Sequence, residues 1–339
     1  MTRRALVIHE PGTIRLVERP SLDPGNGEAV VSPVYTGVCG TDLELLHGEV
    51  DPSYVRYPLT IGHEWAGVVV RVGDGVTSVA PGDRVVVEGI IPCGACRNCI
   101  SGATNLCLVY DELGFTREGG ASDEVLVPAR VIHKLAAGVS LLDACLVEPA
   151  AVVLRALEKA RPVPGQQVLI VGDGTIGLLA ASLVALWSPA EVVMLGRRRE
   201  QATLASNVGV DRFTVDDNET KGSFDLVIEA AGAAEAVATA IRAGLRGATI
   251  LLIGLPPAGR SIELPGDLLV NNDLTVTASF SYTSASWGRV VDLLNARRIE
   301  PSRIVTHRFP LDRFEEAFAA LRASEGERGK VVLEVSQAA

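Results

Sequence analysis

At 339 residues and 47% hydrophobic content, the chain exceeds the size at which one core usually keeps growing, so two domains are expected and a disordered chain is excluded. A formal net charge of -10 argues against a nucleic-acid or anionic-membrane partner, although a local basic patch can still hold a phosphate. The start, Met1–His9, runs into Pro11 before a signal-peptide core can form, and no run reaches the length of a membrane span; six cysteines in such a chain point to the reducing cytoplasm, where clustered thiols bind metal.

Residues 5–8 and 28–34 and the run Arg84–Val87 read as short strands between Pro/Gly turns, so the first third is β-rich. Within it, Gly37-Val38-Cys39-Gly40-Thr41-Asp42 and Gly62-His63-Glu64-Trp65-Ala66-Gly67 set a thiolate, an imidazole and a carboxylate beside tight glycine turns. A soft thiolate with a neutral imidazole suits Zn²⁺, and a tetrahedral position left open would make it a catalytic metal. Cys93, Cys96, Cys99 and Cys107 then follow as C-x2-C-x2-C-x7-C, a spacing that closes four thiolates around a second, structural Zn²⁺. A nucleic-acid-binding zinc ribbon uses similar spacing, but this loop carries only Arg97 as a basic residue.

From Ser140 the periodicity turns helical over residues 141–147 and 150–157, and the domain boundary is expected near residue 150. Beyond Pro164-Gly165, strands near 167–172, 191–196, 224–230, 248–254 and 273–280 alternate with helices, the α/β pattern of a doubly wound parallel sheet. The tail adds a helix from Leu311 and a last strand, Lys330–Val335.

The first of those strands leads into Gly172-Asp173-Gly174-Thr175-Ile176-Gly177, which opens an apolar helix; glycines there permit the tight turn and the close approach of a dinucleotide pyrophosphate. About twenty residues on, where an NAD site usually presents an acid, stand Gly196 and then Arg197-Arg198-Arg199. Glycine removes a repelling charge and guanidinium groups can hold a 2′-phosphate, so NADP(H) is favoured over NAD(H); the alternative is a solvated basic turn. Gly254 and Leu255 are expected along the nicotinamide, and Glu229-Ala230-Ala231-Gly232 along the cofactor crevice.

With these motifs in place the chain resembles the zinc-dependent medium-chain dehydrogenase/reductase family. Gly62-His63-Glu64, Gly67, Gly73 and Val76 fit its signature G-H-E-x2-G-x5-G-x2-V, the Cys39 loop fits its first ligand loop, and the thiol lobe lies where that family has one. The resemblance implies a GroES-like β-rich catalytic domain over residues 1–150 and 284–339, with the structural-zinc lobe at about 90–110, and a Rossmann domain over 151–283. It implies Cys39 and His63 as ligands of the catalytic zinc, with Glu64 and Glu148 as the carboxylates that bind it directly or through water; Cys145 is the alternative to Glu148. The implied chemistry is Lewis-acid stabilisation of an alkoxide, hydride transfer to C4 of the nicotinamide, and proton exit through Thr41. Asp42 would orient a ligand, while Glu44 stands where many relatives have a relay histidine and His47 is a possible substitute.

Local likeness points to a polyol, sugar or aminocyclitol as the small-molecule alcohol or ketone, with Phe115, Arg117 and Tyr282 as pocket residues. The implied assembly is a homodimer or homotetramer. Open alternatives are a non-catalytic NADP(H)-binding or redox-sensing protein and an NAD-dependent threonine or simple alcohol dehydrogenase.

Overall fold

Ala5, Leu6, Val7 and Ile8, all fully buried, form the centre of β1 (Thr2–Glu10) in the computed structural model, which describes residues 2–256, 261, 262 and 264–336. It is followed by β2 (Thr13–Pro20), β3 (Glu28–Val38), β4 (Leu59–Thr60), β5 (Glu64–Val72), β6 (Arg84–Val87), β7 (Val125–Pro128) and β8 (Ile132–Lys134). Two units emerge from the contacts: Met1–Glu148 with Tyr282–Ala323 and Lys330–Ala339, and Pro149–Ser281 with Ser324–Gly329.

The second unit carries β9 (Gln167–Val171), β10 (Glu191–Leu195), β11 (Arg212–Thr214), β12 (Phe224–Glu229), β13 (Gly244–Leu252) and β14 (Thr275–Ala278). They form one sheet in the order β11-β10-β9-β12-β13-β14, parallel throughout. That is the doubly wound dinucleotide-binding order, with the topological switch between β9 and β12. The short β11 was not among the strands expected from sequence: of its three residues only Thr214 is buried, so no alternation marks it. The sheet core holds Leu169, Val193, Val227, Ile241 and Ile250, each almost fully buried.

The chain then returns to the first unit through β15 (Val305–Pro310), the helix Phe314–Arg322 and β16 (Lys330–Glu334). The expected helix from Leu311 begins as one 3₁₀ turn, Leu311–Arg313. Here β1 is flanked by β2 and β4, and a larger sheet runs β15-β16-β3-β5-β6-β8 with β7 also on β3. One of its cores is built on Trp65, Val69, Val85, Val87 and Leu113. The register decides what meets at the end of β3: Gly37 pairs with Glu64 of β5 on one side and Val332 of β16 on the other. Cys39, Glu64 and Lys330 therefore converge at one edge of the sheet.

Candidate active site

Cys39 leaves β3 and caps the helix Gly40–His47, its backbone N–H donating to Asp42 Oδ2 at 2.8 Å. The thiol thus sits at a helix N-terminus. His63 precedes β5 and is 5% exposed; its Nδ1 lies 3.6 Å from Asp42 Oδ1 and its Nε2 3.9 Å from Glu64 Oε1. Ligand atoms of Cys39, His63 and Glu64 all fall within 4.8 Å of one another. Burial opposes a charge on His63, yet the Asp42 and Cys39 charges lift its pKa well above the ordinary imidazole value. The pocket is electronegative in a way that a cation satisfies, and a thiolate, an imidazole and a carboxylate at this separation fit Zn²⁺.

Sequence reasoning did not identify the partner of Glu64. Lys330, the first residue of β16 and 2% exposed, donates to Glu64 Oε1 at 2.6 Å and lies 2.5 Å from Oε2. Burial works against the ammonium, but Glu64 and then Cys39 more than compensate, so its pKa is raised. Gly37 is required beside this pair: a Cβ there would strike Glu64 Oε2 and come within 2.8 Å of Lys330 Cε.

Glu148 opens the helix Val147–Ala160 and lies outside the 4.8 Å ligand group. Its side chain is half-buried, yet enough protein surrounds the carboxyl that burial, then Glu64, push its pKa up to about 8 against the pull of His63. Because this folded value exceeds the ordinary 4.5, the bound proton stabilises the metal-free site fully below that value, and the contribution is lost as pH rises through about 8. A nearby cation displaces the proton, so zinc affinity runs the opposite way. Protein depleted of the open-site metal should melt at a lower temperature near pH 9 than near pH 6 while binding zinc more tightly, roughly tenfold per pH unit at most. Thermal melts and zinc titrations check this, and pH-independent behaviour in both would count against it.

Among the other expected site residues, Thr41 Oγ1 is 3.7 Å from Cys39 Sγ and half-buried, whereas Glu44 and His47 are exposed on the same helix. Phe115 packs its ring 5.2 Å from that of His63. Tyr282 is 1% exposed, its ring tilted at 52° to that of Trp287 with centroids 4.8 Å apart, and its hydroxyl accepts the Ile90 N–H at 3.0 Å. Arg117 is an exposed partner of Asp111 at 2.6 Å. Cys145 is fully buried, and burial followed by Glu64 raises its pKa, which keeps it a thiol. An acid that the sequence reading passed over, Glu112, is buried and bonded by the Tyr110 hydroxyl; burial pushes it up to about 6.

In the thiol lobe the sulfurs of Cys93, Cys96, Cys99 and Cys107 lie within 4.8 Å of one another, Cys93 and Cys99 at 3.9 Å. A tetrahedron with Zn–S bonds of ~2.3 Å has sulfur–sulfur edges of ~3.8 Å, so the set fits a structural zinc. Backbone N–H groups of Cys93, Cys96 and Cys99 point at the sulfurs of Cys107, Cys93 and Cys96 at 3.3, 3.3 and 3.5 Å. N–H donors, chiefly those of Leu108 and Cys99, draw Cys96 down to about 6.

At the dinucleotide turn, Gly172 follows β9 and Gly174 caps the helix Thr175–Val184, with open space where its Cβ would stand. Ile176 and Gly177 lie in the first helical turn, and a Gly177 Cβ would fall against the Gly172 carbonyl. Gly177→Ala must push helix and turn apart at a cost of ~1–3 kcal/mol, so nucleotide affinity should fall about tenfold or more. An equilibrium titration with unchanged affinity would refute that. Gly254 follows β13, donating to Glu229 O at 3.0 Å, and Leu255 is 80% exposed. Glu229 is fully buried and closes its own turn, accepting the N–H groups of Ala231 and Gly232 at 2.8 Å. All these turns follow the carboxyl ends of parallel strands, the edge at which such sheets bind dinucleotides.

Around Gly196 the charge differs from the sequence expectation. Asp173 Oδ2 lies 2.8 Å from where a Gly196 Cβ would be and accepts the N–H groups of Arg197 and Arg198 at 3.2 and 3.4 Å. The glycine makes room for a carboxylate from the neighbouring turn instead of clearing the position of negative charge. Arg198 offsets it, its Nη2 lying 3.5 Å from Asp173 Oδ1.

Residues 25–137 match the family model of the alcohol dehydrogenase GroES-like domain, and residues 143–335 that of the glucose dehydrogenase C-terminus. The chain belongs to the zinc-dependent medium-chain dehydrogenase/reductase family and is an oxidoreductase of the alcohol dehydrogenase type. It is 32% identical to the sorbitol dehydrogenase of Halalkalibacterium halodurans over 96% of each chain, and 33% identical to the L-threonine 3-dehydrogenase of Saccharopolyspora erythraea over 98% of each. Its fold is similar to that of a structure described as a zinc-binding dehydrogenase from Sinorhizobium meliloti 1021 bound to NADP, with a TM-score of 0.93 and 29% identity over 99% of this chain and 100% of that one. The galactitol-1-phosphate dehydrogenase of Escherichia coli gives a TM-score of 0.86 at 26% identity, covering 98% of this chain and 100% of that one. Among the described residues no helix is long and apolar enough to cross a membrane.

Proposed function

We propose that this protein moves a hydride between NADP(H) and a secondary alcohol or its ketone, of the polyol, sugar or aminocyclitol class, with one catalytic and one structural zinc per chain. The observation that carries the proposal is the Cys39, His63 and Glu64 cluster, kept apart from a thiol lobe that needs no further ligand. Bound zinc supplies Lewis acidity to the substrate oxygen, and the nicotinamide supplies or accepts the hydride. Cys39 and His63 hold the metal; Asp42 orients both. Lys330 neutralises Glu64, which leaves Glu148 as the carboxylate free to complete the ligand set directly or through water. Thr41, beside the Cys39 sulfur, takes the alcohol proton toward solvent, where Glu44 is exposed. Phe115 gives the substrate an apolar wall next to His63.

The nucleotide lies along Gly172–Gly177, with Gly254 and the exposed Leu255 toward the nicotinamide and Gly196, Arg197 and Arg198 toward the adenosine. Losing the Arg197 guanidinium, a charged hydrogen-bond donor worth ~1.5–3 kcal/mol, should weaken NADP(H) use about tenfold or more. The edge position of β14, with exposed Val276 and with Phe280 just beyond it, supports assembly into a homodimer or homotetramer. Six free cysteines suit a cytoplasmic setting.

A second reading, an NAD-dependent threonine or simple alcohol dehydrogenase, draws on the Asp173 carboxylate beside Gly196. A panel of polyols, aminocyclitols, threonine and simple secondary alcohols, followed by nicotinamide absorbance with NADP and with NAD, separates them. Polyol or aminocyclitol turnover with NADP supports the proposal; equal efficiency with NAD defeats the cofactor assignment. Silence across the panel with cofactor still bound favours a non-catalytic binding protein.

A further inference from the structure

Asp111 and Glu112 are adjacent acids in the loop that leads from the thiol lobe to β7, and the fold treats them differently. Asp111 accepts from Thr116 Oγ1 at 2.7 Å and from Arg117 Nε at 2.6 Å, so its charge is compensated near the surface. Glu112 turns inward and is 8% exposed. Its backbone is firmly held: the N–H donates to Thr116 Oγ1 at 2.8 Å, the carbonyl oxygen accepts the N–H groups of Thr116 and Arg117 at 2.9 and 3.0 Å, and the residue bridges to Ile90.

The Glu112 carboxylate lacks a charge partner. Among the described residues no cation pairs with it; Oε2 takes the neutral Tyr110 hydroxyl, and Oε1 accepts no hydrogen bond. A buried anion left in this state is costly, and a ligand that brings a cation with donors to Oε1 removes the cost. Oxygen atoms gather there. A Cβ on Gly89 would come within 2.8 Å of the Tyr282 hydroxyl and 3.5 Å of both Glu112 Oε1 and the His63 carbonyl oxygen, so the bare glycine lets three oxygens share one side of it. An ammonium group, with three donors and no lone pair, suits such surroundings better than a hydroxyl does.

This corner adjoins the open metal site. Phe115, three residues beyond Glu112, sets its ring 5.2 Å from the ring of His63, and the Glu112 charge acts on Glu148. Glu112 itself stands outside the ligand group of Cys39, His63 and Glu64, and all these residues belong to the first unit.

We propose that Glu112 is a specificity-determining residue whose Oε1 binds an ammonium group carried by the substrate on a carbon other than the one that reacts, so that amino polyols are favoured over their all-hydroxyl counterparts. The inference rests on the zinc-dependent oxidation of an alcohol proposed above and narrows its substrate class.

The test is kcat/KM for two matched pairs, scyllo-inosamine with scyllo-inositol and glucosaminitol with sorbitol, in the intact protein, Glu112→Gln and Glu112→Asp, with zinc content and NADPH affinity measured alongside. The intact protein should favour the amine of at least one pair by about tenfold or more, the worth of a charged hydrogen bond. Glu112→Gln should lose about tenfold or more on that amine, chiefly in KM, and stay within about threefold on its hydroxyl partner. Glu112→Asp keeps the charge at a shorter reach, and a selective loss of about threefold or more on the amine is expected. It decides the question if Glu112→Gln does not fold. Equal losses on both members of a pair, or loss of zinc, would make Glu112 a structural residue and overturn the inference. An intact protein without an amine preference, or one whose preference survives both substitutions, would overturn it and leave the zinc-dependent reading standing. Silence on all four compounds and on simple secondary alcohols would overturn both.

Discussion

Cys39→Ala is expected to lower turnover by roughly a thousandfold or more, because a Lewis acid supplies several kcal/mol of charge stabilisation and each ~1.4 kcal/mol is tenfold in rate. The substitution removes the one sulfur of the open ligand group and leaves His63 with carboxylates alone, of which Glu64 is already ion-paired to Lys330. Nucleotide affinity should be preserved, since the cofactor turns are built on another unit of the chain. The thiol lobe closes its shell with its own four sulfurs, so it should keep its zinc. Steady-state turnover with NADP, read beside NADPH affinity, checks the expectation. A variant that retains turnover within about tenfold would remove Cys39 from the mechanism.

Lys330→Met should be the most damaging substitution for stability. It strands the Glu64 carboxylate, 2% exposed at its side chain, with no cation to compensate it. Breaking a buried pair by removing one partner costs ~3–5 kcal/mol, which for a chain of this size is a fall in melting temperature of about ten degrees. The double variant Lys330→Met with Glu64→Gln should recover much of that loss, because the stranded charge is gone. The pH dependence carries its own sign. Since Glu64 raises the pKa of Lys330, the contribution of the lysine charge is fully present below the ordinary lysine value and is lost only as the pH rises through the raised one, under strongly alkaline conditions. Melting curves of the intact protein and the two variants decide it, and a Lys330→Met protein as stable as the intact one would show that Glu64 finds other compensation.

The features legible in the sequence are those with short-range signatures. Four cysteines within fifteen residues need no knowledge of the fold to be brought together, and the strand, glycine turn and helix at Val168–Leu178 announce themselves by order and spacing. The strands of the parallel sheet were readable for the same reason, apart from β11, whose three residues carry no periodic signal. What escaped is set by pairing between distant segments. Lys330 meets Glu64 across 266 residues because β16 adds to β3 on the side opposite β5, a register no local pattern encodes. The backbone of Arg328 is tied to the turn at Asp173 through a single buried glutamine, and Asp173 reached the space beside Gly196 from the neighbouring turn. Glycine at position 37 was read as part of a ligand loop; its tighter constraint, the ion pair lying over it, became visible only with both partners in place.

The central claim, that an open zinc site at Cys39 and His63 drives hydride transfer while the thiol lobe serves structure alone, is tested most directly by following zinc content and turnover together. Chelator would be added in steps to the intact protein and zinc then returned. The account predicts two zinc ions per chain at full activity, turnover lost in proportion to the first ion removed, the fold retained until the second leaves, and activity restored by one equivalent. Full turnover with one zinc per chain, held by the four thiols, would contradict it.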